Sequence, residues 1–166
     1  MHNVRLYGAG GCGTNIALAL INTLGGPTSD NLTICCIDTG VANVHRSGLD
    51  VKDIMEVISD EDGKMLSGSG SIRKSNYQHI VRTMPKILHR FNPAEINIIV
   101  MSGAGGSGST IGPVLLDNLL AVGQNAIVIY VDSADSLVEV KNTSDTIKSM
   151  NNIATKHHRT VPVILQ

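Results

Sequence analysis

The fold of this chain is decided by residues 4–15, VRLYGAGGCGTN, in which an apolar run ends in a glycine-rich turn. Residues 96–109, INIIVMSGAGGSGS, repeat this design. In both segments the apolar run predicts a strand, and the glycines predict a turn into a helix. Such a turn lets the backbone approach a phosphate, and the helix N-terminus offers N–H donors with partial positive charge. Two of them in 166 residues indicate one polyphosphate held from two sides.

The remaining apolar runs alternate with segments of helical periodicity. We expect strands at residues 3–7, 32–37, 96–101, 126–131 and 161–165, and helices at 15–24, 76–91, 110–122 and 144–157. Residues 41–46 and 52–58 are ambiguous, residues 59–75 resemble a loop, and Pro85 should kink or split its helix. This pattern predicts a single α/β domain over residues 1–166, with a mostly parallel sheet of about five or six strands and helices on both faces. Ligands of such sheets bind beyond the carboxyl ends of the strands.

Composition excludes several classes of function. The formal net charge is −1, and the chain has three tyrosines, one phenylalanine and no tryptophan, so neither a basic patch nor an aromatic platform for nucleic acid is expected. The three cysteines have no metal-binding spacing and suit buried free thiols in a reducing compartment. Neither a membrane-spanning run nor a signal peptide is visible. We therefore expect a cytoplasmic protein with no membrane or nucleic-acid partner.

The first turn alone leaves a second interpretation open. Gly8, Gly10 and Gly13 match G-x-G-x-x-G, and Asp38 ends the next strand, as in NAD(P)-binding Rossmann domains of oxidoreductases. The second turn counts against that alternative, because a dinucleotide fold needs only one. Neither turn has the Gly-Lys-Ser/Thr ending of a P-loop. A third possibility is an interaction module that kept the fold and lost the nucleotide, with glycines that serve only close packing.

The glycine turns resemble those of the tubulin/FtsZ superfamily. Residues 104–109, AGGSGS, are similar to its signature of a small residue followed by Gly-Gly-Thr-Gly-small-Gly, and residues 10–15 are similar to its first phosphate loop. The resemblance is strongest to bacteriophage tubulins of the PhuZ type, in residues 38–47 and 105–113, and it runs in order through the whole chain. Ser107 replaces the signature threonine and keeps its hydroxyl, whereas Thr110 replaces the final glycine.

This resemblance implies a GTP or GDP site with Mg²⁺. The two turns would hold the phosphates, Asp38 and Thr39 would lie near the phosphates or the magnesium, and Asn15 and Gln166 would face guanine. Ser69 and Gly70 would belong to a loop that senses the γ-phosphate, with Arg73 nearby, and Glu139 and Asn142 to a loop that binds ribose. The complete set of implied binding residues is Gly10, Gly11, Cys12, Gly13, Asn15, Asp38, Thr39, Ser69, Gly70, Ala104, Gly105, Gly106, Ser107, Gly108, Ser109, Glu139, Asn142 and Gln166.

The resemblance also implies a filament-forming GTPase that positions phage DNA or a replication compartment. In the family, an acidic loop of the neighbouring subunit positions the attacking water. That loop, the central helix before it and the C-terminal domain would all follow Gln166, so we expect this chain to be the N-terminal domain only. No catalytic residue is therefore assigned within residues 1–166, and weak hydrolysis by the chain alone is expected.

Overall fold

The computed structural model describes residues 2–40, 51–64, 66, 72–73, 76–132 and 135–166. The predicted segment 41–46 lies outside this range. The elements, in chain order, are β1 Val4–Ala9, α1 Gly10–Leu24, β2 Thr28–Ser29, β3 Leu32–Asp38, β4 Met55–Val57, α2 Tyr77–Arg90, β5 Ile96–Ser102, α3 Gly108–Ala121, β6 Ala126–Val131, α4 Leu137–Lys156 and β7 Val163–Leu165.

The strands form one sheet in the order β2-β3-β1-β5-β6-β7, with β4 also paired to β3. Among the strands of the described residues, only β2 is antiparallel. It pairs with the start of β3, whereas β4 pairs in parallel with the end of β3. The parallel strands therefore run β4-β3-β1-β5-β6-β7, the order of doubly wound nucleotide-binding folds. From β1 the chain adds strands outward on one side, to β3 and β4, and then returns to add β5, β6 and β7 on the other side. The strand order therefore reverses between β1 and β5. The crevice at this switch point is where such sheets bind ligands, and both glycine turns begin there.

Helices cover both faces of the sheet, which confirms the predicted α/β architecture. Buried side chains of α1 pack on one face with Leu6 and Val100, and those of α2, α3 and α4 pack on the other with Tyr7 and Ile99. Both cores are dominated by aliphatic side chains, in keeping with the composition. The adjacent residues Cys35 and Cys36 fall in opposite cores as free, buried thiols, as alternation along a strand requires.

Three helices begin earlier than the sequence predicts, because the prediction followed apolar periodicity. α1 begins at Gly10 and α3 at Gly108, inside the turns, where glycine's low helix propensity hides the start. α4 begins at Leu137, seven residues before the expected Ser144, and its first turn exposes Leu137 and Val138 and so has no apolar stripe.

Two further segments were ambiguous or missed. The ambiguous segment 52–58 contains the short strand β4, and the sequence does not predict the two-residue strand β2.

α2 is not split at Pro85 but continues from Tyr77 to Arg90. The proline leaves the carbonyl of Val81 without its helical donor, and Val81 lies on the exposed side of the helix, where water can replace that donor.

Gly13 sets how closely α1 approaches the sheet. A Cβ atom at this position would lie 2.1 Å from the backbone oxygen of Val100 in β5. The clash is with backbone and not with a flexible side chain, so only movement of the helix could relieve it. Close approach at this point keeps the start of α1 against the switch point.

Gly13→Ala should therefore destabilise the fold by about 1–3 kcal/mol, even though alanine is the better helix former. Gly26→Ala is the matched control, because the nearest atom to its Cβ would be 4.0 Å away, and it should change stability by less than about 0.5 kcal/mol. Urea denaturation of both variants checks this. Equal stability of Gly13→Ala and the wild type would contradict the close approach.

Candidate functional site

The two glycine turns touch each other at the switch point. A Cβ atom on Gly10 would lie 2.4 Å from the nitrogen and 2.5 Å from the Cα of Gly108, and one on Gly108 would lie 2.9 Å from the carbonyl oxygen of Ala9. Gly10 also has a φ of +70°, which side-chain-bearing residues rarely adopt. The starts of α1 and α3 are thus held backbone to backbone. The structure brings together two segments that lie far apart in the sequence.

Both helices begin without a side-chain cap. Neither Ala9, the N-cap residue of α1, nor Ser107, that of α3, makes a side-chain capping bond, and the first turn of each helix has no acidic residue. By contrast, Ser136 caps α4 by accepting a bond from the N–H of Glu139. Uncapped N-terminal N–H groups with the helix dipole behind them form an anion site. Two such groups converge where the turns meet.

A third segment, at the end of β3, joins the site. The Thr39 and Ser107 hydroxyl oxygens are 2.6 Å apart and share a hydrogen bond, which ties β3 to the second turn. Asp38 is buried and accepts a 2.7 Å bond from the N–H of Thr39. Burial raises the pKa of Asp38 from 3.8 to about 6, although the N–H groups of Thr39 and Gly40 partly offset it. A cation beside this carboxyl group would favour its ionised form.

α4 supports the second turn from behind. The Asn142 side chain is buried and donates a 2.9 Å bond to the carbonyl oxygen of Ala104, and the Thr146 hydroxyl lies 3.3 Å from that of Gly103. Asn142 and Glu139 were expected in a loop, and this is wrong: both lie on α4. The sequence pattern Ser136-x-x-Glu139 is typical of a helix start and could have located it. Asn142 and Thr146, four residues apart, would then have been recognised as one helix face.

The other predicted site residues take separate positions. Asn15 is exposed on α1, and the thiol of Cys12 is half-buried, with a pKa raised by burial. Gln166 lies at the same edge of the sheet, because its backbone bonds with Tyr130 and Asp132 extend the pairing of β7 with β6. Glu139 accepts a 3.0 Å bond from the N–H of Asp135 through its carboxylate. Ser69 and Gly70 lie outside the described residues.

A groove of about 1020 Å³ lies between α2, α3 and α4. Arg73, Thr110 and Asn142 line the part of the groove that lies next to the second glycine turn. The uncapped N–H groups of α1 and α3 belong instead to the edge where the turns meet. Since phosphate recognition depends on those donors and not on cavity volume, we place the candidate site at the turns.

Solved structures of tubulin-like and FtsZ proteins share this doubly wound α/β fold. A tubulin-like protein of Pseudomonas phage phiKZ is 31% identical over 97% of this chain and 48% of its own length. The solved protofilament of TubZ from bacteriophage PhiKZ superposes with a TM-score of 0.81 at 28% identity, covering 100% of this chain and 50% of that one. No model of a protein family matches the chain.

Two more structures extend the similarity. The phage tubulin PhuZ with GDP has a TM-score of 0.76 at 26% identity, over 98% of this chain and 48% of that one. A mutant FtsZ from M. jannaschii shares the fold, with a TM-score of 0.78 at 19% identity over 99% of this chain and 46% of that one. In sequence and in fold the chain is thus similar, along its whole length, to phage tubulin-like proteins of the tubulin/FtsZ superfamily. It spans about half the length of the curated relatives that it matches.

The comparisons do not favour the NAD(P)-binding alternative, because the relatives named here are tubulin-like. Among the described residues, no group of three or more His, Cys, Asp and Glu side chains could hold a metal ion by itself. No helix in the described part of the chain has the length and apolarity needed to cross a bilayer.

The buried carboxyl group of Asp38 makes stability depend on pH. Because its pKa is higher in the folded protein, its protonated form stabilises the fold fully below about pH 4, and this contribution is lost as the pH rises through about 6. Asp38→Asn keeps the neutral form at every pH. The variant should therefore gain stability over the wild type from pH 4 to 7, by at most about 3 kcal/mol.

Urea denaturation across this pH range measures the effect, with a chelator present to remove divalent cations. Asp30→Asn, which alters an exposed carboxylate, serves as the control. A constant stability difference between Asp38→Asn and the wild type from pH 4 to 7 would show that burial does not shift the pKa of Asp38.

Proposed function

We propose that this chain binds GTP or GDP at the contact between its two glycine turns, as the nucleotide-binding domain of a filament-forming, tubulin-like GTPase. The observation that carries the proposal is the backbone contact of Gly10 with Gly108, which puts two uncapped helix starts side by side. One helix N-terminus can hold one phosphate group, whereas two adjacent ones suit a diphosphate or triphosphate. The related phage tubulin PhuZ has been solved with GDP.

The phosphates would be held mainly by backbone. In this proposal, N–H groups of residues 10–13 and 105–109 donate to phosphate oxygens, and the hydroxyls of Thr39 and Ser107 stand beside them. Gly105 has open space where a side chain would be, because a Cβ atom on this residue would meet no protein atom within 4 Å. That space would admit a phosphate to the backbone. Donors fixed by the fold stabilise charge without reorganising, which is the electrostatic contribution that phosphoryl transfer needs.

Magnesium fits the donors at this edge. Mg²⁺ prefers hard oxygen ligands and usually keeps several waters while it binds one or two carboxylates and substrate phosphates. Asp38 offers a carboxyl group, and Thr39 offers a hydroxyl, without a complete cage of side chains. When bound, the ion would neutralise charge that builds up on the phosphates. The role of this chain would be to place the Asp38 carboxyl group beside them.

The base and the ribose are assigned from the family resemblance. Asn15 on α1 and Gln166 at the end of β7 would contact guanine, and Glu139 at the start of α4 would contact ribose. Asn142 would act on the ribose only indirectly, through the carbonyl of Ala104 that it holds. Ser69 and Gly70 remain proposed γ-phosphate contacts.

Assembly and hydrolysis are proposed for the full-length protein. The related TubZ of phage PhiKZ forms a protofilament, and we propose similar self-association here, in the cytoplasm of an infected bacterium, to position phage DNA or a replication compartment. Hydrolysis would need an acidic loop of the next subunit. The 166-residue chain alone should therefore turn over GTP slowly, and efficient turnover that rises with protein concentration would contradict this.

Isothermal titration with GTP, GDP, ATP and NAD tests the class of ligand. We expect binding of GTP and GDP, strengthened for GTP by Mg²⁺, with weaker ATP binding and none for NAD. Tight NAD binding without guanine-nucleotide binding would overturn the proposal. Failure of all four to bind would support an interaction module.

Gly105→Ala separates phosphate binding from folding. Because the added methyl group meets nothing within 4 Å in the protein, the melting temperature should stay within about 2 °C of the wild type. The methyl group would occupy the approach to the phosphates, so GDP affinity should fall by about tenfold or more. Gly26→Ala, with similar open space far from the turns, should change neither quantity. Unchanged GDP affinity in Gly105→Ala would remove Gly105 from the site.

A further inference from the structure

α3 contains a proline that leaves one buried carbonyl without its helical partner. Pro113 lies inside helix α3 and has no N–H. The helical acceptor four residues earlier is the carbonyl of Ser109, and Ser109 is fully buried. A buried acceptor without a donor is costly. The missing bond is at Ser109, which is the last residue of the second glycine turn and also part of the start of α3.

Arg73 supplies the missing donor. Its Nε and Nη2 atoms lie 3.2 and 3.0 Å from the Ser109 carbonyl oxygen and donate to it, and Nη2 also donates to the Ser149 hydroxyl of α4 at 3.2 Å. In return, the Thr110 hydroxyl donates a 2.7 Å bond to the backbone carbonyl of Arg73. Arg73 therefore joins the segment before α2 to both α3 and α4.

The Thr110 contact depends on a residue that departs from the family signature. A glycine at position 110 would have no hydroxyl to give to Arg73. Thr110 is buried, and its hydroxyl also lies 3.0 Å from the Gly106 carbonyl inside the turn. Partial burial lowers the pKa of the Arg73 guanidinium, and the nearby Asp145 partly restores it. Arg73 and Thr110, which are bonded to each other, thus contact the turn at the carbonyls of Ser109 and Gly106.

We propose that Arg73 is a positioning residue for the phosphate-binding turn: it replaces the N–H that Pro113 lacks and so fixes the direction of the N–H groups of residues 105–109. The proposal rests on the proposed nucleotide site, which it deepens. Arg73 acts through Ser109 and not by touching the nucleotide. Lysine could not reproduce this arrangement, because its ammonium lacks the planar fork that reaches one carbonyl with two donors.

A double-mutant cycle between Arg73 and Pro113 tests this. Arg73→Met keeps the aliphatic stem but leaves the Ser109 carbonyl without a donor, so GDP affinity should fall about tenfold. Pro113→Ala restores an N–H at the helical position. Alone it should change GDP affinity by less than about threefold, but in the Arg73→Met background it should recover most of the loss.

The GDP affinities are measured by titration at a temperature where circular dichroism shows every variant fully folded. A loss of global stability alone would not move affinity under that condition. Arg82→Met is the matched control, since in the described contacts Arg82 on α2 pairs only with Glu61 and His79 and does not touch the second glycine turn. If Arg73→Met does not fold, Arg73→Lys replaces it, with an expected loss of about threefold and the same rescue by Pro113→Ala.

Wild-type GDP affinity in Arg73→Met, or additive effects of the two substitutions, would overturn the proposal while leaving nucleotide binding intact. No GDP binding by the wild-type chain would instead overturn the proposed function and the nucleotide role of Arg73 with it. In that case the thermal midpoints of the same four proteins still test the contact. Rescue of the midpoint by Pro113→Ala would retain Arg73 as the donor to Ser109, and its absence would reject that contact as well.

Discussion

The structure depends on a contact between two pieces of backbone, Gly10 at the start of α1 and Gly108 at the start of α3. Their close approach leaves no room for a side chain on either residue. The consequence is chemical as well as steric, since the N-termini of two helices are held together and the first turn of each contains no acidic residue. Positive ends of helix dipoles repel each other. An arrangement that keeps them adjacent is favoured when an anion lies between them.

Several polar side chains around this contact donate hydrogen bonds to carbonyl oxygens of the second glycine turn. Asn142 on α4 donates a bond to the carbonyl oxygen of Ala104 in the second glycine turn. Arg73 bonds to another, and Thr39 reaches the turn through a hydroxyl. Side chains of α4 and of the segment before α2 thus donate to carbonyl groups of the second glycine turn. The N–H groups at the two uncapped helix starts suit a ligand that is itself an acceptor, as a phosphate is.

Sequence reasoning located the turns, the sheet and the α/β class, because glycine clusters and apolar strands have strong local signatures. It missed the first seven residues of α4, because Leu137 and Val138 are exposed and break the apolar pattern. The ribose-binding loop that the resemblance implies at Glu139 and Asn142 also falls within this helix. The role of Arg73 was beyond local patterns, since its partner Ser109 lies 36 residues away and needs a donor only because of Pro113. The family resemblance, by contrast, identified the superfamily directly.

Whether both turns hold one polyphosphate can be measured by NMR titration of the ¹⁵N-labelled chain with GDP. Backbone amide signals of residues 10–13 and 105–109 should shift together and saturate at one common dissociation constant. Shifts confined to residues 10–13, with the second turn unaffected at saturating GDP, would contradict this expectation.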